Sequence, residues 1–258
     1  MTINENNYYS QEADQAFFSA SQIKSFLDCP ARTVAQIRGE YKPEQTTALL
    51  VGSYVDSYFA GEDAAVHFEQ THPEIFNKRT GELKADFVHA LRMIDRAKSD
   101  EVFMSYLTGD SQHIVTGEIF SYPFKAKFDF YVPGKCIVDL KTVRDLKPVY
   151  KPGEGRLNYA QAWNWPLQMA IYQALEGNRL PCYLAVITKE DPPTLDLVQI
   201  PQEELDAELE WLKLKMPLFD AYKQGYIDPE RCEDCAYCRA SKKITGPRIL
   251  RDLMEEEV

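Results

Sequence analysis

The 258-residue chain lacks any run of eighteen apolar residues, which is about what a membrane-spanning helix needs. Its opening stretch, MTINENNYYSQEADQ, lacks the basic-then-apolar pattern of a secretory leader. Both absences predict a soluble, cytoplasmic protein with no membrane partner. A basic excess is missing as well: 29 Lys and Arg stand against 40 Asp and Glu, a net charge of −11. That excludes a whole-surface attraction for nucleic acid but is compatible with a local basic channel. The chain also lacks a disulfide framework. Its six cysteines are uneven, at 29, 136, 182, 232, 235 and 238, which fits reduced or metal-bound thiols. The remainder is an ordinary globular composition, 45% hydrophobic and 12% aromatic, enough for one large domain.

The most informative stretch is Phe124 to Thr142, FKAKFDFYVPGKCIVDLKT. Phe124, Ala126, Phe128, Phe130 and Val132 alternate with Lys125, Lys127, Asp129 and Tyr131, the period of a half-buried strand. Pro133-Gly134 signals a turn, after which Cys136, Val138, Leu140 and Thr142 alternate with Ile137, Asp139 and Lys141. A three-residue loop centred on Gly134 sets Asp129 directly across from Asp139, with Cβ atoms about 5 Å apart. Two carboxylates so close repel unless a cation lies between them. Asp139 and Lys141, two apart on one strand, share a face.

Around this hairpin the chain reads as alternating helices and strands. Residues 1 to 18 are polar and read as a flexible arm. Ser19 or Ser21 caps a helix burying Ile23, Phe26 and Leu27, and Pro30 opens a second. A buried helix over 45–60 contains Asp56, a carboxylate that either sits at the helix surface or is held by a cation. Residues 61–83 read as irregular, with His67 and His72 as surface residues, and 84–108 as one amphipathic helix. A third strand, 114–122, carries Glu118. Residues 143–158 read as an irregular loop whose Arg144, Lys147, Lys151 and Arg156 are either solvated or meet phosphates. An aromatic helix over 159–176 puts Gln168 and Tyr172 on one face. Its neighbours Tyr159, Trp163 and Trp165 either stack on bases or fill the core, with core favoured for at least one tryptophan. Strands over 182–188 and 194–200 precede a helix over 202–224, bent at Pro217. Residues 246–258 form a basic-then-acidic tail whose acidic end, EEEV, is predicted to be disordered.

Asp129, Asp139 and Lys141 together supply what metal-assisted phosphodiester hydrolysis needs: anionic ligands for a divalent ion and an ammonium near the attacking water or the phosphate. Asp-x-Lys alone also fits an ordinary charged strand edge. Cys232-x2-Cys235-x2-Cys238 places three thiols within seven residues, with Cys29 as the candidate fourth ligand. Zinc, an iron–sulfur cluster or plain reduced thiols all fit that spacing. Cys136 and Cys182 fall on apolar strand faces and read as core.

With these motifs in order, the chain resembles the PD-(D/E)xK nuclease superfamily, in its RecB-like branch and the phage-type RecE-like recombination exonucleases. The resemblance implies an α/β restriction-endonuclease-like core, a central mixed sheet flanked by helices, over residues 19–245 with the cysteine cluster included. By it, Asp129 is the first metal-binding aspartate, and Asp139 and Lys141 are the acid and lysine of the (D/E)xK element. Gln168 and Tyr172 are the QxxxY pair that positions DNA. Gly52-Ser53-Tyr54-Val55-Asp56 corresponds to a GxxVH helix, with Asp56 where the family has a histidine ligand. Glu118 is an additional acid, and the Leu140 carbonyl joins Asp56, Asp129 and Asp139 as a metal ligand. Oxygen ligands favour Mg²⁺ or Mn²⁺. Cys29, Cys232, Cys235 and Cys238 correspond to a four-iron, four-sulfur site.

The activity so implied is a metal-dependent exonuclease on DNA duplex ends. It would act in phage or prophage recombination in a bacterial host, beside a single-strand annealing protein and as a homo-oligomer. Two other classes fit parts of the sequence: a catalytically silent DNA-binding or scaffold module of the same fold, and an interaction protein built on the cysteine cluster.

Overall fold

In the computed structural model, which describes residues 1–244, 246, 247 and 249, helices cover both faces of a five-stranded sheet. The chain runs α1 (Gln11–Ala16), α2 (Ala20–Asp28), α3 (Pro30–Ile37), α4 (Thr47–Ala60), α5 (Glu62–Thr71), α6 (Ala85–Lys98) and α7 (Glu101–Tyr106) before the first strand. Strands β1 (Asp110–Ile119), β2 (Tyr122–Val132) and β3 (Cys136–Val143) follow as a meander. A small hairpin, β4 (Val149–Lys151) and β5 (Gly155–Leu157), then leads into α8 (Tyr159–Ala162) and α9 (Trp165–Glu176). The fold closes with β6 (Cys182–Thr188), β7 (Leu195–Ile200), α10 (Gln202–Gln224) and α11 (Ala236–Ala240).

The sheet order is β1-β2-β3-β6-β7, antiparallel except that β3 and β6 run parallel. A parallel pair needs a crossover, and the segment carrying α9 supplies it, laying that helix across one face. Phe124, Phe128, Ile137, Leu184 and Val186 pack there beneath α2, α9 and α10. Phe130, Val138, Leu140, Ala185 and Ile187 pack on the opposite face beneath α4 and α6. This is the mixed, helix-flanked sheet expected from the sequence.

The strict alternation read along β2 does not hold. Phe124, Ala126 and Phe128 join the core under α9, whereas Phe130 joins the opposite one. The change of face falls at Asp129, which lies opposite Gln112, a residue held at φ +54°. Neither residue takes part in the β1–β2 ladder between the pairs Ser111–Phe130 and His113–Phe128. Local irregularity of this kind re-aims a side chain, here the Asp129 carboxylate.

Several other expectations need correcting. The first eighteen residues are not a loose arm. Ile3, Tyr8 and Ala13 are buried, and the fully buried Lys125 donates to the Tyr8 carbonyl at 2.5 Å and to Asp14 Oδ1 at 2.7 Å. A buried ammonium needs such partners, and their polar backbone gave no hydrophobic signal in the sequence. Residues 61–83 contain α5 and a 3-10 turn, Pro73–Ile75. The helix read over 84–108 is two, parted at Ser99, with Asp100 capping the second through the Phe103 N–H. Residues 143–158 include the β4–β5 hairpin. The helix over 159–176 breaks at Asn164, in the left-handed region, before Pro166. Arg248, Arg251 and the acidic end of the expected tail lie outside the described residues. Among the described residues no helix is long and apolar enough to cross a membrane.

Candidate active site

Strand β3 sets the centre of the site. The β2–β3 register pairs Phe130 with Val138, Tyr131 with Ile137 and Val132 with Cys136 around the Pro133–Lys135 loop. One step further in the same register, Asp129 stands opposite Asp139, as the loop length predicts. No ladder pair forms there; Asp129 Oδ2 instead accepts the Leu140 N–H at 2.8 Å, and Gln112 Nε2 donates to Oδ1 at 3.4 Å. The acid of β2 is therefore fixed by the backbone of the strand that carries the other acid.

Asp139 is buried, and its two oxygens have different partners. Oδ1 accepts from Gln168 Nε2 at 2.7 Å. Oδ2 lies against the Lys141 ammonium as an ion pair but has no aligned hydrogen bond. Gln168 Nε2 also donates to the Tyr172 hydroxyl at 3.1 Å, so both members of the pair on α9 are in the site. Gln168 is one of two buried glutamines on a helix with little solvent access, and each amide is hydrogen-bonded.

Helix α4 brings Asp56. It can approach β3 closely because Gly52 leaves room: a Cβ there would lie 3.1 Å from Thr142 Oγ1. Burial pushes the Asp56 carboxyl up to about 7, and the Asp139 charge adds to this while Lys141 and Lys189 oppose it. Burial likewise raises Asp129, helped by the charges of Asp139 and Asp56. For Lys141 burial works to remove the proton, but the Asp139 and Asp129 charges outweigh it and the ammonium is held. The ring of Trp165 lies 5.9 Å from that ammonium and is buried, which settles its role as core; Trp163 is 57% exposed.

Three acids, of which Asp139 is buried and Asp56 and Asp129 half-buried, face a single committed lysine, and one Asp139 oxygen has no aligned hydrogen bond. The donors are all oxygens. That set fits a hard divalent cation such as Mg²⁺ or Mn²⁺.

Two residues not singled out from the sequence also belong here. Lys24 Nζ on α2 donates to Gln168 Oε1 at 2.6 Å, and burial together with the Lys141 charge pushes its pKa down to about 8. Nothing in the local pattern distinguishes it from a solvated helix lysine. Gln112 was equally silent, because its contact depends on the β1–β2 pairing. Glu118, by contrast, is not brought in. It is exposed and pairs with Pro123 at the far end of the ladder, six residues or about 20 Å along β1 from Gln112.

The cysteines form a second centre. Cys29, Cys232, Cys235 and Cys238 place their sulfurs within 4.8 Å of one another. Cys29 Sγ is 3.5 Å from Cys238 Sγ and 3.8 Å from Cys235 Sγ, and Cys232 Sγ is 4.0 Å from Cys238 Sγ. The helical caps and turns of this segment direct N–H groups at sulfur, from Arg32 to Cys29, Cys235 to Cys232 and Cys238 to Cys235. Burial would raise the Cys232 thiol, but the N–H groups of Cys235 and Asp234 hold it down at about 7. Cys136 and Cys182 lie apart from this group, Cys182 fully buried.

The comparisons with known proteins agree with this geometry. Residues 19–241 match the PDDEXK-like domain of unknown function (DUF3799). The chain belongs to that family. It is thereby a member of the PD-(D/E)xK nuclease superfamily. A crystal structure from Eubacterium rectale, of a protein named only as a candidate exonuclease, is 36% identical. It aligns over 99% of both chains with a TM-score of 0.93. Another solved structure, SSO0001, aligns over 73% of this chain and 84% of its own at 14% identity, with a TM-score of 0.31 that supports no further comparison. No curated protein matches the chain.

Proposed function

We propose that the protein is a divalent-metal-dependent deoxyribonuclease that removes nucleotides from duplex ends. The observation that carries this reading is the convergence of Asp56, Asp129, Asp139 and Lys141 with Gln168 and Tyr172 at one point of the sheet. The similarity to the Eubacterium rectale protein supports the exonuclease assignment.

Asp129, Asp139, Asp56 and the Leu140 carbonyl would hold Mg²⁺ or Mn²⁺. When bound, such an ion polarises the phosphate and makes the attacking water more acidic. Asp129 is kept in place by the Leu140 N–H, so it needs little reorganisation. Lys141, held as an ammonium, orients the water and faces charge developing on the phosphate. Gln168 orients Asp139 and is itself oriented by Lys24 and Tyr172. A place in phage or prophage recombination, with a single-strand annealing protein and a homo-oligomeric form, rests on the resemblance to RecE-like enzymes.

The test is cleavage of linear duplex DNA with Mg²⁺ or Mn²⁺ by the wild type and by Lys141→Ala. Metal-dependent loss of the ends, abolished by the substitution, is expected. No cleavage, or cleavage that Lys141→Ala leaves intact, overturns the reading.

For the cysteine centre we infer a single thiolate-held ion. Tetrahedral zinc with bonds of about 2.3 Å sets its sulfurs about 3.8 Å apart; three sulfur pairs here lie 3.5, 3.8 and 4.0 Å apart, and all four sulfurs are within 4.8 Å of one another. The four-iron, four-sulfur cube that the resemblance implies separates its thiolates more widely, which favours the single ion.

A further inference from the structure

The hairpin β4–β5 and helix α8 stand between the strand that carries Asp139 and Lys141 and the helix that carries Gln168 and Tyr172. The whole chain has a net charge of −11, yet residues 143–158 hold four cations, Arg144, Lys147, Lys151 and Arg156, against two acids, Asp145 and Glu154. Arg144 is paired with Asp145 at 2.8 Å. Lys147, Lys151 and Arg156 have no carboxylate partner among the described residues. A positive patch on an acidic surface draws a polyanion to itself, because the surrounding charge repels it.

The hairpin register pairs Val149 with Leu157, Tyr150 with Arg156 and Lys151 with Gly155. Directly opposed residues share a face, with Cβ atoms about 5 Å apart. Val149 and Leu157 are half-buried, so their face turns inward. Tyr150 and Arg156 are on the other face and exposed, Tyr150 at 70%. Helix α8 packs against both strands and is tied to β7 by the Tyr159 hydroxyl, which donates to Asp196 Oδ2 at 2.6 Å. That support holds an aromatic ring and a guanidinium side by side in solvent. The Tyr159 ring lies 6.0 Å from that of Trp165, itself 5.9 Å from the Lys141 ammonium, so the hairpin borders the site.

We propose that this hairpin binds single-stranded DNA, the strand that digestion of a duplex end leaves uncut. The proposal rests on the nuclease reading for the origin of that strand. Inside a duplex the bases cover one another and offer only their edges, so the Tyr150 ring finds no face to stack on. In a single strand each base has a free π face, and an aromatic ring among cations is the combination that holds such strands. Arg156 is placed for the phosphate next to a base on Tyr150, and Lys147 and Lys151 add charge for neighbouring phosphates. Holding the uncut strand would keep the protein on its substrate between cuts.

Fluorescence anisotropy of a labelled oligodeoxythymidylate, measured without added Mg²⁺ or Mn²⁺ so that nothing is cut, tests this apart from cleavage. The wild type should bind it with an affinity that falls as salt rises. Tyr150→Ala should weaken binding about 5-fold or more, as the loss of one stacked base implies, and leave the salt dependence unchanged. Arg156→Ala should weaken binding and lower the slope of log affinity against log salt by about 0.7, and Arg156→Lys should restore that slope. Both side chains are exposed, so thermal melts should not change. No binding by the wild type, either alanine variant binding like the wild type, or an equal loss from Tyr150→Ala on a blunt duplex of the same length would each overturn the proposal. Cleavage of linear duplex by the wild type judges the nuclease reading separately, so the two can fail independently.

Discussion

Lys24 Nζ lies 2.6 Å from Gln168 Oε1, so a lysine of α2 steadies the amide whose other end holds Asp139. The link runs from the first core helix to the centre of the sheet through one side chain. It makes Lys24 a positioning residue for Asp139, acting through Gln168.

Removing it should therefore cost activity more than stability. Lys24→Ala leaves Gln168 free to turn its amide away from Asp139. A hydrogen bond to a charged group is worth about 1.5–3 kcal/mol, so cleavage should fall about 10- to 100-fold. Lys24→Arg, which keeps a donor, should recover part of the loss. Gln168→Glu brings a fourth carboxylate beside Asp139 and should lower activity further. Turnover of a labelled linear duplex, with thermal melts as control, checks all three. Full activity in Lys24→Ala would remove the lysine from the site.

Asp56 predicts a pH dependence that weakens on substitution. Its carboxyl is pushed from the ordinary 3.8 to about 7, first by burial and then by the Asp139 charge. Between those values the folded chain keeps a proton that the unfolded chain has released. Stability of the metal-free protein should therefore fall as pH rises from about 4 to about 7, and the loss is complete above that. Asp129 is raised in the same direction and adds to the trend. Asp56→Asn should melt like the wild type near pH 4 but a few degrees higher at pH 8, while losing cleavage. Mg²⁺ or Mn²⁺ added at pH 8 should raise the wild-type melting temperature more than that of the variant. Parallel pH profiles for the two proteins would argue against a buried, charge-stressed Asp56.

The hairpin was legible in the sequence because alternation and loop length together fix register, and the register places Asp129 opposite Asp139. The flip of face at Asp129 was not, since it depends on the positive φ of Gln112 on a neighbouring strand. The four-residue spacing of Gln168 and Tyr172 placed them on one helix face, and the family resemblance implied their place at the site. Lys24 was not, because the partner that distinguishes it lies 144 residues away. The arm over residues 1–18 misled for a related reason. Its anchoring is partly polar, through Lys125 to Tyr8 and Asp14, and hydrophobic periodicity cannot report such contacts. Glu118 failed because proximity in sequence to the hairpin was not proximity along the strand.

Gly52 sets how closely α4 can bring Asp56 to β3. Alanine in a helix interior is intrinsically better than glycine by about 1 kcal/mol. Here its Cβ would meet Thr142 Oγ1 at 3.1 Å, so the helix must shift by a few tenths of an ångström. The two effects oppose each other in stability, and Gly52→Ala should be nearly neutral in a thermal melt while lowering cleavage several-fold. Gly52→Val, with two more methyl groups at the contact, should destabilise by about 1–3 kcal/mol. Gly52→Ala combined with Thr142→Ala removes the clash and should regain activity over Gly52→Ala alone. An unchanged rate in Gly52→Ala would show that the approach of α4 is not limiting.

The cysteine centre joins segments more than 200 residues apart. Cys29 ends α2 and caps α3, and the Ala31 N–H donates to the Glu230 carbonyl at 2.9 Å beside it. An ion held by Cys29 and the three later cysteines would lock α2 to the end of the chain. Elemental analysis should find one zinc per chain, and the protein should have no broad absorbance near 400 nm. Cys29→Ser should release the ion and lower the melting temperature by about 10 °C or more, as the loss of several kcal/mol of metal-linked stability implies. Because Lys24 lies five residues before Cys29 on the same helix, the variant should also lose cleavage at temperatures where it is still folded. Iron with inorganic sulfide in a brown protein would overturn the single-ion assignment. A colourless protein without metal, as stable as Cys29→Ser, would leave the four thiols as reduced side chains that happen to meet.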